Sequence, residues 1–409
     1  MSSAPRRRSR RQAGLPPIPT RHPYQVTKDQ QTSKISSAWP NARSRRRTRA
    51  SRGIYLSNNR CYQTTTLQTL VHVPKFMNWL KMHNTSKKTA CSPGGVYIQR
   101  PMNQGGDAQH FNLCPACAMK DFIAYYWSDQ DLDGSGDPQA IRRDNRVLNF
   151  LRMADFRFGG NQDSPEVFFD FLKGHIVNST PFRENNASPW GLMFNALFEL
   201  QLQKSHSCSN SACPRNTTPD VTEQEAQCGI PGLQILDTGN DNLAASLHRY
   251  LAGHPLQDYR CEACNQKNTT TQSHPILAAP DILRICLVPG GYDRFGNPYK
   301  ITARFGLTEF LDLTRYQLDP STPLKYRLSS VINHIGELDS GHYIATARAP
   351  DNVYVINDNE KLTCDTADPP AANPSALLCR NPQRWNDGSY QAFVLTYLRV
   401  PDKELEKLK

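Results

Sequence analysis

The hydrophobic period of this 409-residue chain changes once along its length, and that change limits the folds open to it. In the first half apolar residues recur at helical spacing. Leu67, Leu70 and Val71 follow Cys61, and Pro74 limits the run. The stretch "CPACAMKDFIAYYW" (114–127) predicts a second amphipathic helix, and "DQDLDGSGD" (129–137) a loop after it. In "NQDSPEVFFDFLKGHI" (161–176) Ser164 suits an N-cap and Pro165 the first turn. Val167, Phe168, Phe171 and Leu172 form the expected buried stripe. The second half reads as strands: 281–288, 326–335, 342–349, 353–357 and 392–400, several alternating with period two. Helices followed by strands predict an α+β domain. Two polar segments, about 204–230 and 361–390, read as loop-rich insertions. There is no internal repeat and no phosphate-cradling glycine loop.

The charge is as uneven as the period. Residues 1–52 hold 14 of the 48 Lys and Arg but only one of the 37 acids, Asp29, so the positive excess belongs to this segment. Rich in Ser, Pro and Arg and poor in periodic apolar residues, it is expected to be a disordered basic arm. Its clusters "RRRSRR" (6–11) and "RSRRRTR" (43–49) suit nuclear import or non-specific nucleic-acid contact. No aromatic platform interleaves them, which argues against sequence-specific reading. The domain is then expected over 53–400, with a short charged tail at 401–409. No apolar run is long enough to span a membrane. The first residues lack the apolar core of a secretory leader, so a reducing compartment is expected, the nucleus in preference to the cytoplasm.

In such a compartment the twelve cysteines point to catalysis or metal binding rather than disulfides. His342 opens one strand, and Asn357 and Asp358 close the next. Adjacent antiparallel strands would bring these ends together, so that an Asn or Asp side chain orients the imidazole and leaves its other nitrogen for a thiol. A Cys with a remote His and Asn is the cysteine-peptidase arrangement. Cys208 with Cys213, and Cys261 with Cys264, form two pairs that could close a tetrahedral structural zinc site.

On these motifs the chain resembles the ubiquitin-specific protease family of deubiquitinases (USP/UCH type). Gly53, Asn59, Cys61, Tyr62, Leu67, Gln68 and Leu70 match its cysteine box. Gly341-His342-Tyr343 and the run Val353 to Asp358 match its histidine box, and Gln162, Asp163, Glu166 and Val167 match a third element that opens a helix. The resemblance implies a papain-like cysteine peptidase fold with a helical thumb, an antiparallel β palm and zinc-bearing fingers at about 200–280. It implies hydrolysis of the amide after the C-terminal glycine of ubiquitin, with no catalytic cofactor. Cys61 would be the nucleophile, His342 the base, Asn357 its orienting partner and Asp358 a polar support. Asp163 and Glu166 would meet arginines of the ubiquitin tail. The helix carrying Cys114 and Cys117, with Cys91 and His110 upstream, usually holds cysteines without metal, so these are expected to be structural.

The chain departs from the family pattern at the cysteine box. Leu56 stands where the family has its oxyanion asparagine, Asn58 replaces glycine and Arg60 replaces threonine. Asn58 or Asn59 is therefore a candidate oxyanion donor, unless both only shape the turn. The alternative function is an inactive or weakly active ubiquitin-binding scaffold with the same fold.

Overall fold

The computed structural model describes residues 23–40, 51–54, 59–83, 96–128, 140–141, 145–179, 189–239, 241–302, 305–358, 360–363 and 391–401. Helices come first: α1 (Pro23–Thr32), α2 (Cys61–Val71), α3 (Pro74–Lys81), α4 (Pro115–Tyr126), α5 (Asn145–Phe158), α6 (Pro165–Val177) and α7 (Pro189–Phe198). Every residue of α2 is buried, although its sequence, "CYQTTTLQTLV", is more than half polar. The helix tolerates this because its hydroxyls bond to its own carbonyls. Thr64 and Thr65 both donate to Cys61 O, and Thr66 donates to Tyr62 O. Gln68 donates to Arg52 O at 2.7 Å and accepts from the Tyr126 hydroxyl at 2.7 Å. An aromatic core surrounds it, with Tyr62 edge-on to Phe158 and Phe168.

Ser164 caps α6 as expected, its hydroxyl accepting from Val167 N at 3.2 Å. The stripe is rotated by one residue from the expected one: Phe168, Phe169, Leu172 and Ile176 are buried, and Val167 faces solvent.

The palm is an eight-stranded sheet. Its strands run in the order Glu360–Thr363, Val353–Asn357, Gly341–Arg348, Lys325–Gly336, Gln391–Arg399, Ile282–Val288 and Ile230–Gln234, with Phe310–Asp312 on the Lys325 strand. All pairings are antiparallel except the last, where Ile230–Gln234 lies parallel to Ile282–Val288. The register sets His342 opposite Ile335 and Ala345 opposite Ile356, so the Gly341 and Asn357 ends of two neighbouring strands meet at one edge of the sheet. That edge faces the start of α2.

The fingers are a second, five-stranded sheet built on Glu199–Cys208. Asp220–Cys228 pairs along one side of it, and Ile276–Ala278 and Thr270–Ser273 along the other. Much of the 204–230 segment is therefore strand rather than an insertion. Asp220–Cys228 is exposed along most of its length, so no apolar alternation marks it. Of the second segment, residues 364–390 lie outside the described residues, as do Cys91, Cys364, Cys379 and the 129–137 loop.

The basic arm is not disordered throughout. Residues 23–40 fold onto the domain through polar groups, which a search for apolar periodicity does not register. Gln25 exchanges two hydrogen bonds with the backbone of Ala279, and Asp29 pairs with Arg399 at 2.9 Å. Lys28 donates to the carbonyls of Asn195 and Glu199, at the end of α7. Ile35 enters the helical core, with Trp39 against its margin. The arginine clusters at 6–11 and 43–49, and the tail from 402, lie outside the described residues. Among the described residues no helix is long and apolar enough to cross a membrane.

Candidate active site

Cys61 is the first residue of α2, so its sulfur sits in the positive field of the helix start, where an anion is stabilised. Its own N–H is one of the amides that an α-helix leaves without an intrahelical acceptor. Asn59, two residues before Cys61, is exposed and takes a φ of 28°, the left-handed region that asparagine tolerates. This fits a turn-shaping role. Leu56 and Asn58 lie outside the described residues.

His342 reaches across from the palm. Its Nε2 lies 2.6 Å from Asn357 Oδ1, which fixes that nitrogen as the donor and leaves Nδ1 for the thiol. The bond to Cys61 is the largest influence on its titration. Burial opposes it, Asn357 reinforces it, and the imidazole is raised to about 9. An imidazole held protonated beside a sulfur at a helix N-terminus is an arrangement suited to a cysteine nucleophile.

Asp358 supports the site from beneath. With a φ of 47°, it turns the chain so that its carbonyl accepts from Ile54 N at 2.7 Å. Its carboxylate accepts from Thr64 of α2 at 3.3 Å. Burial pushes this carboxyl up, against the pull of His342 and Thr64. One residue thus links the strand leading to the cysteine, the cysteine helix and the histidine sheet.

Two further groups hold the cleft in register. Gln162, just before α6, both donates to Gly341 O at 3.0 Å and accepts from Gly341 N, fixing the residue before His342. Arg60 pairs with Asp155 of α5 at 2.6 Å, tying the residue before the nucleophile to a second helix. The sequence offered only the substitution of Arg60 for threonine as a signal for that pair.

The two acids expected at the substrate tail differ in their surroundings. Asp163 accepts from the neighbouring Ser164 N at 2.7 Å and remains half-buried at the cleft. Glu166 is already paired, with the guanidinium of Arg284 on the palm strand Ile282–Val288. Arg284 is 2% exposed and lies over the Phe169 ring, and its Nε and Nη1 have no hydrogen-bond partner. An intramolecular cation thus already pairs with Glu166.

At the fingertip the four cysteines converge. Cys208 and Cys264 lie 3.7 Å apart, and Cys213 and Cys261 3.8 Å apart. With metal–sulfur bonds of about 2.3 Å, a tetrahedral ion would separate its sulfurs by about 3.8 Å. Three of the four are buried, and Arg215 braces the two knuckles through Asp220 and Glu262. The group could hold a metal ion.

Known proteins resemble this chain in sequence and in fold. The family profile described as "Ubiquitin carboxyl-terminal hydrolase" matches residues 52–397. The chain belongs to the ubiquitin carboxyl-terminal hydrolase family. Curated relatives named ubiquitin carboxyl-terminal hydrolase 36 include one from Drosophila virilis, 25% identical over 74% of this chain and 23% of its own length. The Drosophila melanogaster relative is 23% identical over 80% of this chain and 30% of its own. The chain spans about a quarter of the length of the first of these relatives. Among solved structures, the SAGA Ubp8/Sgf11/Sus1/Sgf73 DUB module bound to ubiquitin aldehyde shares the fold. Its TM-score is 0.63 at 17% identity, covering 88% of this chain and 71% of the other. The same module bound to monoubiquitin gives 0.63 at 17%, over 92% and 74%. The family's α+β architecture of thumb, palm and fingers is therefore that of this chain.

Proposed function

We propose that the chain is a thiol-dependent deubiquitinase that hydrolyses the peptide or isopeptide bond after the C-terminal glycine of ubiquitin. The observation that carries this reading is the His342 imidazole, bonded to Asn357 at 2.6 Å and raised to about 9 by its bond to Cys61. Membership of the hydrolase family supports it, as do solved structures of the same fold bound to ubiquitin.

In this reading the Cys61 thiolate attacks the carbonyl carbon of the terminal glycine. The oxyanion that forms takes a hydrogen bond from the Cys61 N–H at the start of α2, with Asn58 or Asn59 as a further donor. The departing amine collects the proton of His342, leaving a thioester on Cys61. His342, now neutral, takes a proton from water as the water attacks, and ubiquitin leaves with a free carboxylate. Asn357 keeps the ring in position throughout, and Asp358 ties the cysteine helix to the strands of the histidine sheet.

The fingertip cysteines are read as a structural zinc site, because an all-thiolate tetrahedral set selects that ion. The arginine clusters are read as nuclear-directing, on sequence alone. A reporter fused to residues 1–52 that does not concentrate in the nucleus would end that reading.

The test of activity is labelling by a ubiquitin probe with a C-terminal electrophile. Labelling of the wild type, lost in Cys61→Ala, supports the enzyme. Absence of labelling, with ubiquitin binding retained, would leave the scaffold reading favoured by Leu56.

A further inference from the structure

We propose that Arg60, braced by Asp155, is a positioning residue for the hydrolysis: it fixes the peptide unit whose N–H meets the oxyanion. The inference rests on the deubiquitinase reading above. That N–H belongs to Cys61, but it shares its plane with the Arg60 carbonyl, and the peptide bond is trans. In a trans peptide the two groups point in opposite directions. Arg60 O faces into α2, where it accepts from Gln63 N at 2.9 Å and Thr64 N at 3.0 Å. The Cys61 N–H therefore points back out of the helix start. Whatever tilts Arg60 tilts this donor by the same angle.

The Arg60 side chain is tied to a separate helix. It makes no cap bond to α2, although Arg60 is its N-cap residue. Arginine has no acceptor for the amides of the helix start, whereas the threonine of the family pattern has one. The guanidinium instead reaches sideways, with Nη2 2.6 Å from Asp155 Oδ1 in α5. It is 17% exposed, and its Nε has no partner among the described residues, so Asp155 carries the tie. Burial pushes the Asp155 carboxyl up, and Arg60 draws it back. The anchor is firm, because Ala154 and Phe158 of α5 lie in the thumb core. Phe158 also meets the ring of Tyr62 edge-on at 5.8 Å. The residues on both sides of Cys61 are thus held against one helix. Leu56 offers no side-chain donor, so an aimed backbone donor matters more here.

The test is steady-state turnover of a ubiquitin-amide substrate, with rates normalised to active sites counted by an electrophilic ubiquitin probe. An inactive wild type would end the deubiquitinase reading and this one with it. In an active wild type, Arg60→Thr, although it restores the family residue, should lower kcat by about 10–10²-fold. Asp155→Asn should do the same, and KM should stay nearly unchanged in both. The double variant should lose no more than either single one, because the two residues act as a unit. Arg60→Lys keeps the charge and should recover most of the rate. Circular dichroism checks that each variant folds, and the isosteric Asp155→Asn carries the comparison alone if Arg60→Thr does not. In protein labelled with ¹⁵N-cysteine, the Cys61 amide signal should shift in Asp155→Asn and hold its place in Arg60→Lys. Equal kcat in the wild type and Asp155→Asn would overturn the proposal while leaving the deubiquitinase reading intact. So would a loss confined to KM, losses that multiply in the double variant, or an unmoved Cys61 amide signal.

Discussion

Asn357 and Cys61 act on opposite nitrogens of one imidazole, and both favour its protonated form. His342 is raised from the ordinary histidine value, so its contribution to fold stability is complete below pH 6.5 and is lost as pH rises through about 9. The protonated ring is also what delivers a proton to the leaving amine, so turnover on a ubiquitin-amide substrate should fall with an alkaline limb near pH 9. Asn357→Ala removes one of the raising influences and should move that limb to lower pH. His342→Ala should cost about 10²–10⁴ in rate and slow the alkylation of Cys61. A limb that stays put in Asn357→Ala would remove Asn357 from its assigned role. The same scale gives a second prediction at Glu166. Removing one member of a buried ion pair costs about 3–5 kcal/mol, and Glu166→Gln should fall at the lower end because the carboxylate is 21% exposed. Arg284→Met keeps the side-chain bulk and releases the carboxylate, so it should lower KM for ubiquitin substrates if Glu166 meets a basic tail. Denaturation midpoints and steady-state kinetics check the two. An unchanged KM would confine Glu166 to the internal pair. The meeting of Cys61, His342 and Asn357 was legible because it depends on residue type and on the ends of neighbouring strands. The Glu166–Arg284 pair was not, because nothing in "DILRICLV" says which side chain a buried arginine meets 118 residues away.

The elements the sequence revealed are those that bury apolar faces. The five palm strands agree with their expected ranges to within a residue or so at each end, since each alternates or runs apolar into a core. The elements it concealed are held by polar groups. The fingers strand Asp220–Cys228 has almost no buried face, and α1 docks through Gln25, Lys28 and Asp29. Lys28 is the decisive contact of α1, because it satisfies two carbonyls where α7 ends. Lys28→Met should destabilise the domain by about 1–3 kcal/mol, the cost of leaving buried acceptors without a donor. Removal of residues 1–22 should leave the melting temperature unchanged, whereas removal of residues 1–40 should lower it along with the rate of probe labelling. Equal melting of the two truncated proteins would show that α1 adds nothing to the fold.

Across the whole molecule, the thumb and palm each own a large apolar core, and the reactive pair sits in the seam between them. The fingertip has no such core. Its own cluster consists of Cys208, Cys213 and Cys261, with Cys264 against them. Four thiols that could hold a metal ion are thus the apolar contact between the two knuckles among the described residues, beside the ion pairs of Arg215. Metal-linked folding of this kind is local: without the ion the tip loses what closes it, while the two large cores keep their burial. A chelator should therefore expose Cys208, Cys213, Cys261 and Cys264 to alkylation and weaken ubiquitin binding, because the fingers sheet loses its fixed end. The alkylation rate of Cys61 should not change, since its environment is set by α2 and His342 in the seam. Both rates can be read in one peptide map, with and without chelator and after restoring zinc. Loss of Cys61 reactivity in parallel with fingertip opening would mean that the metal supports the whole domain. Four fingertip thiols that react at full rate before any chelator is added would mean that no metal closes the tip.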